Sequence, residues 1–162
     1  MTIPLTTPRV IRQTVDIDAP ASAVWQVLTD SAFTKEYMYG CEIVSSWAIG
    51  EPFNWKGGDG VVYVIGTLVE VQPNRLLRYT MLDPNATYPD IPANYLTVTC
   101  TVVPAGGRTT LNMEIGDYAT VADGDVRYRH SMDGGDTLLL QIKAIAERIG
   151  GGSSETRRDR GR

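Results

Sequence analysis

The feature that most constrains the fold is the change to a two-residue hydrophobic period after Glu42. From there to residue 116, short segments alternate between apolar and polar side chains, as half-buried strands do. Turn-forming sequences separate them, including Gly57-Gly58-Asp59-Gly60 and Pro73-Asn74. Strands joined by such short turns predict an antiparallel meander. The expected strands span residues 42–47, 52–57, 61–71, 76–82, 95–103 and 108–116.

The inward face can be assigned in two of these strands. Leu77, Tyr79 and Met81 share one face of the strand at 76–82. Leu111, Met113 and Ile115 share one face of the strand at 108–116. The segment 61–71 is apolar on both faces, so alternation does not assign its buried side.

The segments on either side of the meander predict one further strand and three helices. Residues 10–18 alternate as a strand, and Pro20 then suits the first turn of a helix. We expect a second short helix that begins with Ser31 as its N-cap and ends at Gly40. A final helix is predicted from Asp133 to Ile149, because its apolar residues form a broad stripe. This α+β order requires the final helix to cover the apolar face of the sheet.

Composition indicates one globular domain. Of 162 residues, 43% are hydrophobic and 21% are charged. We predict an extension at 1–9, the domain at 10–150, and a basic, disordered tail at 151–162. The net charge is −4 although that tail holds four arginines, so the rest of the chain is more acidic still. This balance argues against nucleic acid as a partner.

The expected location is the cytoplasm. No apolar run approaches the roughly 20 residues of a membrane helix, and the N-terminus lacks the pattern of a signal peptide. Cys41 and Cys100 are far apart and belong to no CxxC motif, so we interpret them as reduced, buried side chains.

No motif for catalysis, metal or cofactor binding is present in the sequence. GxGxxG, P-loop, HExxH and GxSxG patterns are missing, and His130 is the only histidine. The acidic residues between Asp117 and Asp136 do not follow a calcium-loop spacing, and we interpret them as solvated or helix-capping, with Asp133 as a candidate cap. We therefore predict no metal and no cofactor, and leave open whether the protein is an enzyme.

The aromatic side chains indicate a function more clearly than the polar residues do. They lie on elements expected to face inward, and two methionines join them: Tyr37, Tyr39, Trp47, Phe53, Trp55, Tyr63, Tyr79, Met81 and Met113. Such residues suit a pocket for an apolar or aromatic small molecule, but they also suit a filled core. The segment 83–94, with three prolines, is either a lid over that pocket or a surface excursion.

Three stretches resemble one known family. They are VDIDAPASAVWQVLTD at 15–30, GTLVEVQPNRL at 66–76 and GDTLLLQIK at 135–143. Together they resemble the START-like (SRPBCC, Bet v 1-like) superfamily, and within it homologues of the heat-shock-protein-90 ATPase activator. The resemblance implies a helix-grip fold, with a curved antiparallel sheet of about seven strands around the long C-terminal helix.

The resemblance also implies an internal cavity between the sheet and that helix. We expect it to be lined by Tyr37, Trp47, Trp55, Tyr63, Tyr79, Met81, Met113, Gly135, Leu138, Leu139 and Ile142. The family often has a tryptophan where Gly135 stands. Its replacement either widens the entrance to the pocket or places Gly134 and Gly135 in the preceding loop.

Three functions are compatible with this fold. The first is binding of a small hydrophobic or lipid-like molecule. The second is an enzyme of the cyclase, aromatase or hydrolase kind, with Tyr79, Glu114 or His130 as its polar group. The third is a co-chaperone, which ranks lowest because the eukaryotic activators carry a further domain that a chain of this length is not expected to hold. Monomer and homodimer both stay open.

Overall fold

The computed structural model describes residues 7–151. Residues 1–6 and 152–162, which hold most of the predicted extension and tail, lie outside the described residues. The elements in chain order are β1 (Ile11–Ile17), α1 (Ala21–Thr29), α2 (Ser31–Tyr37), β2 (Glu42–Ser45), β3 (Phe53–Lys56), β4 (Val62–Val64), β5 (Leu68–Gln72), β6 (Leu76–Met81), a 3-10 turn (Pro92–Asn94), β7 (Leu96–Ala105), β8 (Arg108–Gly116), α3 (Gly124–Asp133), α4 (Thr137–Ala146) and a π-helical turn (Glu147–Gly151).

The strands form two antiparallel sheets. Five strands pair in the order β1-β8-β7-β6-β5, and three pair in the order β2-β3-β4. Isolated bridges from Pro52 to Thr67 and from Ile65 to Leu82 join the two sheets. The predicted α+β helix-grip fold and the two short helices after the first strand are confirmed. The single sheet of about seven strands is corrected to a five-stranded and a three-stranded sheet.

The predicted strand 61–71 is interrupted at Gly66. A Cβ atom at Gly66 would lie 1.7 Å from the Thr80 carbonyl oxygen, so the backbone of β6 passes directly against this residue. The same glycine carbonyl accepts a hydrogen bond from the Phe53 amide at 2.9 Å. Only glycine permits this close approach, and the chain therefore leaves the small sheet after β4 and enters the large sheet as β5.

The C-terminal region differs from its prediction. The expected helix from Asp133 to Ile149 begins only at Thr137, and the separate helix α3 precedes it. None of the residues of α3 is buried, so it lacks the apolar stripe that reveals a helix in a sequence. Asp133 ends α3 instead of capping the final helix, and Gly135 lies in the intervening loop with φ 57°.

Helix α4 nevertheless covers the large sheet as expected. It packs against α1 and β1, and buries Leu139, Ile142, Ile145 and Ala146. A buried hydrogen bond holds the start of α1 against β8: Thr109 Oγ1 donates to the carbonyl of Ala19, which lies just before the helix, at 2.7 Å. Helix α2 is capped by Asp30 and not by the predicted Ser31, since the Asp30 carboxylate accepts from the Ala32 amide.

No helix within residues 7–151 is both long and apolar enough to span a bilayer.

We expect Gly66→Ala to lower the free energy of unfolding by at least about 2 kcal/mol, because the added methyl group collides with the backbone of Thr80. Gly134→Ala is the matched control. Its Cβ would meet only the Ser131 carbonyl at 3.5 Å, and we expect a change of less than about 1 kcal/mol. Chemical denaturation measures both. Equal stability of the two variants would contradict the explanation of the strand break.

Candidate functional site

An apolar cavity of about 120 Å³ lies between the large sheet and helices α2 and α4. Strands β6, β7 and β8 supply inward side chains at alternate positions, because successive residues of a strand face opposite sides. The lining residues are Leu28, Tyr37, Met38, Trp55, Leu77, Tyr79, Met81, Val98, Cys100, Met113, Ile115 and Leu138. None of these side chains carries a charge at neutral pH.

The polar groups of the cavity wall are held in their neutral forms. The Tyr37 hydroxyl donates to the Leu28 carbonyl at 3.0 Å. Burial raises the pKa of Tyr37 and of Tyr79 well above the ordinary phenol value, and it raises the pKa of Cys100 to about 12. A desolvated, neutral wall suits uncharged parts of a ligand, since burying an unpaired charge there is costly.

Aromatic rings connect the cavity to the small sheet. The Phe53 ring stacks on Tyr79 with their centroids 4.3 Å apart, and Trp55 meets Tyr37 edge to face at 6.5 Å. Pairs of this geometry add to the stabilisation from burial alone. They hold the Trp55 side chain, which is 3% exposed, at the edge of the cavity.

A surface groove of about 520 Å³ adjoins the cavity. It lies between the end of α2 and the β3–β4 turn, and shares Met38 and Trp55 with the cavity. Its lining residues are Met38, Tyr39, Cys41, Trp55, Gly57, Gly58, Asp59, Tyr63 and Val64. Met38 and Trp55 line both spaces and thus form the partition between the small cavity and the larger groove.

The proline-containing segment 83–94 borders the same region. It forms a cleft of about 330 Å³ with α3, and this cleft shares Met81 with the cavity. Asn94 fixes the segment, because its Nδ2 donates to the Pro89 carbonyl and its Oδ1 accepts from the Ala122 amide. Arg127 adds a hydrogen bond to the Asn94 carbonyl at 2.9 Å. These contacts tie the proline-containing segment, predicted to be either a lid or a surface excursion, to α3.

Six of the predicted site residues line the cavity: Tyr37, Trp55, Tyr79, Met81, Met113 and Leu138. The other five lie elsewhere. Tyr63 lines the groove, and Trp47 lines a separate cleft beside Trp25. Leu139 and Ile142 are buried in the core, and the Gly135 carbonyl accepts from Gln13 Nε2 in the α3–α4 loop.

Several lining residues were not predicted. Leu77 and Ile115 share the inward faces of their strands with predicted residues. The alternating pattern was therefore sufficient to identify them as part of the cavity wall. Met38 follows the last residue of α2, where helical periodicity has ended. Its place in the partition depends on how the chain turns into β2.

The structure does not bring the three polar candidates for catalysis, Tyr79, Glu114 and His130, together in one pocket. Glu114 pairs with Arg12 on an exposed surface, and His130 is exposed on α3 beside the proline-containing segment. Only Tyr79 of the three candidates reaches the cavity. Residues 7–151 contain no group of His, Cys, Asp and Glu side chains suited to a metal ion.

Comparisons with known proteins agree with this architecture. Residues 18–147 match the family model described as Activator of Hsp90 ATPase homolog 1-like protein. A protein from Cytophaga hutchinsonii with a solution structure is 29% identical, with 92% of this chain and 98% of that chain covered and a TM-score of 0.68. A protein from Mesorhizobium loti is 24% identical, with 86% and 98% covered and a TM-score of 0.68.

More distant structures share the fold. An HSP90 activator from Plasmodium falciparum is 15% identical, with 85% of this chain and 95% of that chain covered and a TM-score of 0.64. The search of curated proteins gives no match. The family model spans most of the chain, so this protein belongs to the family of Activator of Hsp90 ATPase homolog 1-like proteins, with the helix-grip fold of the SRPBCC class.

Proposed function

We propose that this protein binds a small hydrophobic or aromatic molecule whose apolar part occupies the cavity between the sheet and α4. The observation that carries the proposal is the neutral, aromatic and thioether-lined wall of that cavity. Aromatic rings and flexible methionines adapt to apolar ligands, and buried phenols orient them by hydrogen bonding.

The sizes of the two spaces support a shared site. The cavity alone, at about 120 Å³, is small beside ordinary ligand pockets of about 300–1,000 Å³. The adjoining groove has about 520 Å³, and Met38 and Trp55 separate it from the cavity. The unbranched Met38 side chain changes rotamer readily. A ligand therefore lies mainly in the groove and extends its apolar end past Met38 into the cavity.

The enzyme alternative is weaker because Tyr79 is the one residue of the three catalytic candidates that lines the cavity. Burial raises the pKa of Tyr79, so this phenol keeps its proton at neutral pH. It can donate a hydrogen bond but is a poor general base. The co-chaperone alternative rests on the description of the matching family and on the likeness to an HSP90 activator, which at 15% identity is a likeness of fold alone. Ligand binding accordingly ranks first.

Filling the cavity tests its role. We expect Leu138→Trp to weaken binding of the neutral fluorescent probe N-phenyl-naphthylamine at least about tenfold, because the larger ring occupies the space at Leu138. Leu140→Trp is the matched control on the same helix, at a position 54% exposed, and should bind the probe like the unmodified protein. Fluorescence titration measures the affinities, and thermal unfolding verifies that both variants fold. Equal affinities would argue against the cavity as the binding site.

Thiol labelling tests occupancy of the groove. Cys41 lines the groove, whereas Cys100 lines the cavity, and burial raises the pKa of both thiols. We expect N-ethylmaleimide to modify Cys41 slowly and Cys100 more slowly still, with rates that keep rising at a pH where an ordinary thiol is already ionised. Saturating probe should slow labelling of Cys41 at least about threefold. Peptide mass spectrometry assigns the sites, and an unchanged rate at Cys41 would contradict binding in the groove.

A further inference from the structure

The β3–β4 turn holds one carboxylate at the wall of the groove. Asp59 Oδ1 accepts from the Val61 amide at 3.0 Å, and Oδ2 accepts from the Tyr63 hydroxyl at 2.5 Å. The lack of a side chain at Gly57 leaves room for this arrangement, because a Cβ there would lie 2.6 Å from Tyr63 Cε2 and 2.8 Å from Asp59 Oδ1. The turn therefore fixes the carboxylate and the phenol relative to each other.

Asp59 is ionised at neutral pH. The hydrogen bond from Tyr63 lowers the pKa of Asp59, and the bond from the Val61 amide acts in the same direction. Each carboxylate oxygen accepts one of these bonds and has further lone-pair capacity. The group is thus able to accept another N–H donor from a ligand in the groove.

The negative charge of Asp59 has no cationic partner in the groove. The groove lining within the described chain includes no Lys, Arg or His. No ion pair described within residues 7–151 involves Asp59. Burial raises the pKa of the neighbouring Cys41 thiol, which is therefore neutral. The groove consequently attracts a cation and disfavours an anion such as a fatty-acid carboxylate.

Aromatic rings lie around the same space. Trp55 and Val64 line it with Tyr63, and Tyr39, which is 93% exposed, lines its outer edge. Aromatic rings attract cations through their quadrupole, and tyrosine and tryptophan do so together with apolar contact. A carboxylate beside several rings matches a molecule with a basic nitrogen and an apolar body.

We propose that the ligand of this protein is an amine-bearing aromatic or apolar molecule, with its cationic nitrogen beside Asp59 and its apolar body against Trp55. The proposal rests on the proposed function and specifies the ligand class for the same site. It separates this class from neutral lipids and from fatty acids, which share only the apolar part.

Three probes of one shape test the proposal: naphthylmethylamine, naphthylmethanol and naphthoate. Titration calorimetry at low salt should give an affinity for the amine about tenfold above that for the alcohol, with the carboxylate weakest. The preference for the amine should shrink as salt is added, because the groove is open to solvent. Asp59→Asn should lower the affinity for the amine to that for the alcohol and leave the alcohol unchanged.

Asp90→Asn is the matched control. Asp90 accepts from the Tyr95 hydroxyl at 2.6 Å, which reproduces the tyrosine–carboxylate pair outside the groove. This variant makes the same change in net charge and should keep the full preference for the amine. A loss of preference in both variants would indicate a general charge effect and overturn the role of Asp59.

The outcomes separate this proposal from the proposed function. Equal binding of amine and alcohol, or tightest binding of the carboxylate, would overturn the cationic class while leaving apolar ligand binding intact. Failure of all three probes to bind would overturn both. An amine preference that only Asp59→Asn removes would support both.

Discussion

The stacking of Phe53 on Tyr79 is the contact on which the rest of the site depends. It lies where β3 of the small sheet meets β6 of the large sheet. The close backbone approach at Gly66 and the bridge from Pro52 to Thr67 reinforce the same junction. Because Trp55 follows two residues after Phe53 on β3, this junction also places its ring between the cavity and the groove.

The two spaces on either side of Trp55 differ in their electrostatics. The cavity wall is neutral, and burial keeps its phenols and its thiol protonated. The groove is open to solvent and carries the ionised Asp59. In the proposed function, this gradient from apolar to anionic would orient an amphipathic ligand with its apolar end inward. A binding function needs no further chemistry, which agrees with the scattered positions of Glu114 and His130.

The sequence predicted the large sheet well and the connections between elements poorly. Strand alternation identified Leu77, Tyr79, Leu111 and Met113 as inward-facing, because a half-buried strand imposes a two-residue period. It did not locate the break at Gly66, since that break arises from contact with Thr80, fourteen residues later in the chain. Helix α3 was not predicted, because it buries none of its residues and so has no apolar stripe.

In the candidate site too, residues on regular strands were predicted better than residues in turns and at helix ends. Six of its predicted residues line the cavity, and three of them, Tyr79, Met81 and Met113, lie on the two strands whose inward face alternation assigned. Trp47 has the residue type of a pocket wall, but the chain adopts φ 64° there and directs it to another cleft. Met38 and Asp59 lie at a helix end and in a turn, where no period assigns a direction.

In the proposed function, the cavity and the groove form one binding site divided by Met38 and Trp55. Methyl-labelled methionine NMR during titration with N-phenyl-naphthylamine tests it most directly. Met113 reports on the cavity, Met81 on the cavity and the adjoining cleft, and Met38 on the partition. Met132, 46% exposed on α3, serves as an internal control. We predict probe-to-methyl NOEs at Met38, Met81 and Met113 and none at Met132. NOEs that are missing from Met81 and Met113 while the probe is bound would contradict the account.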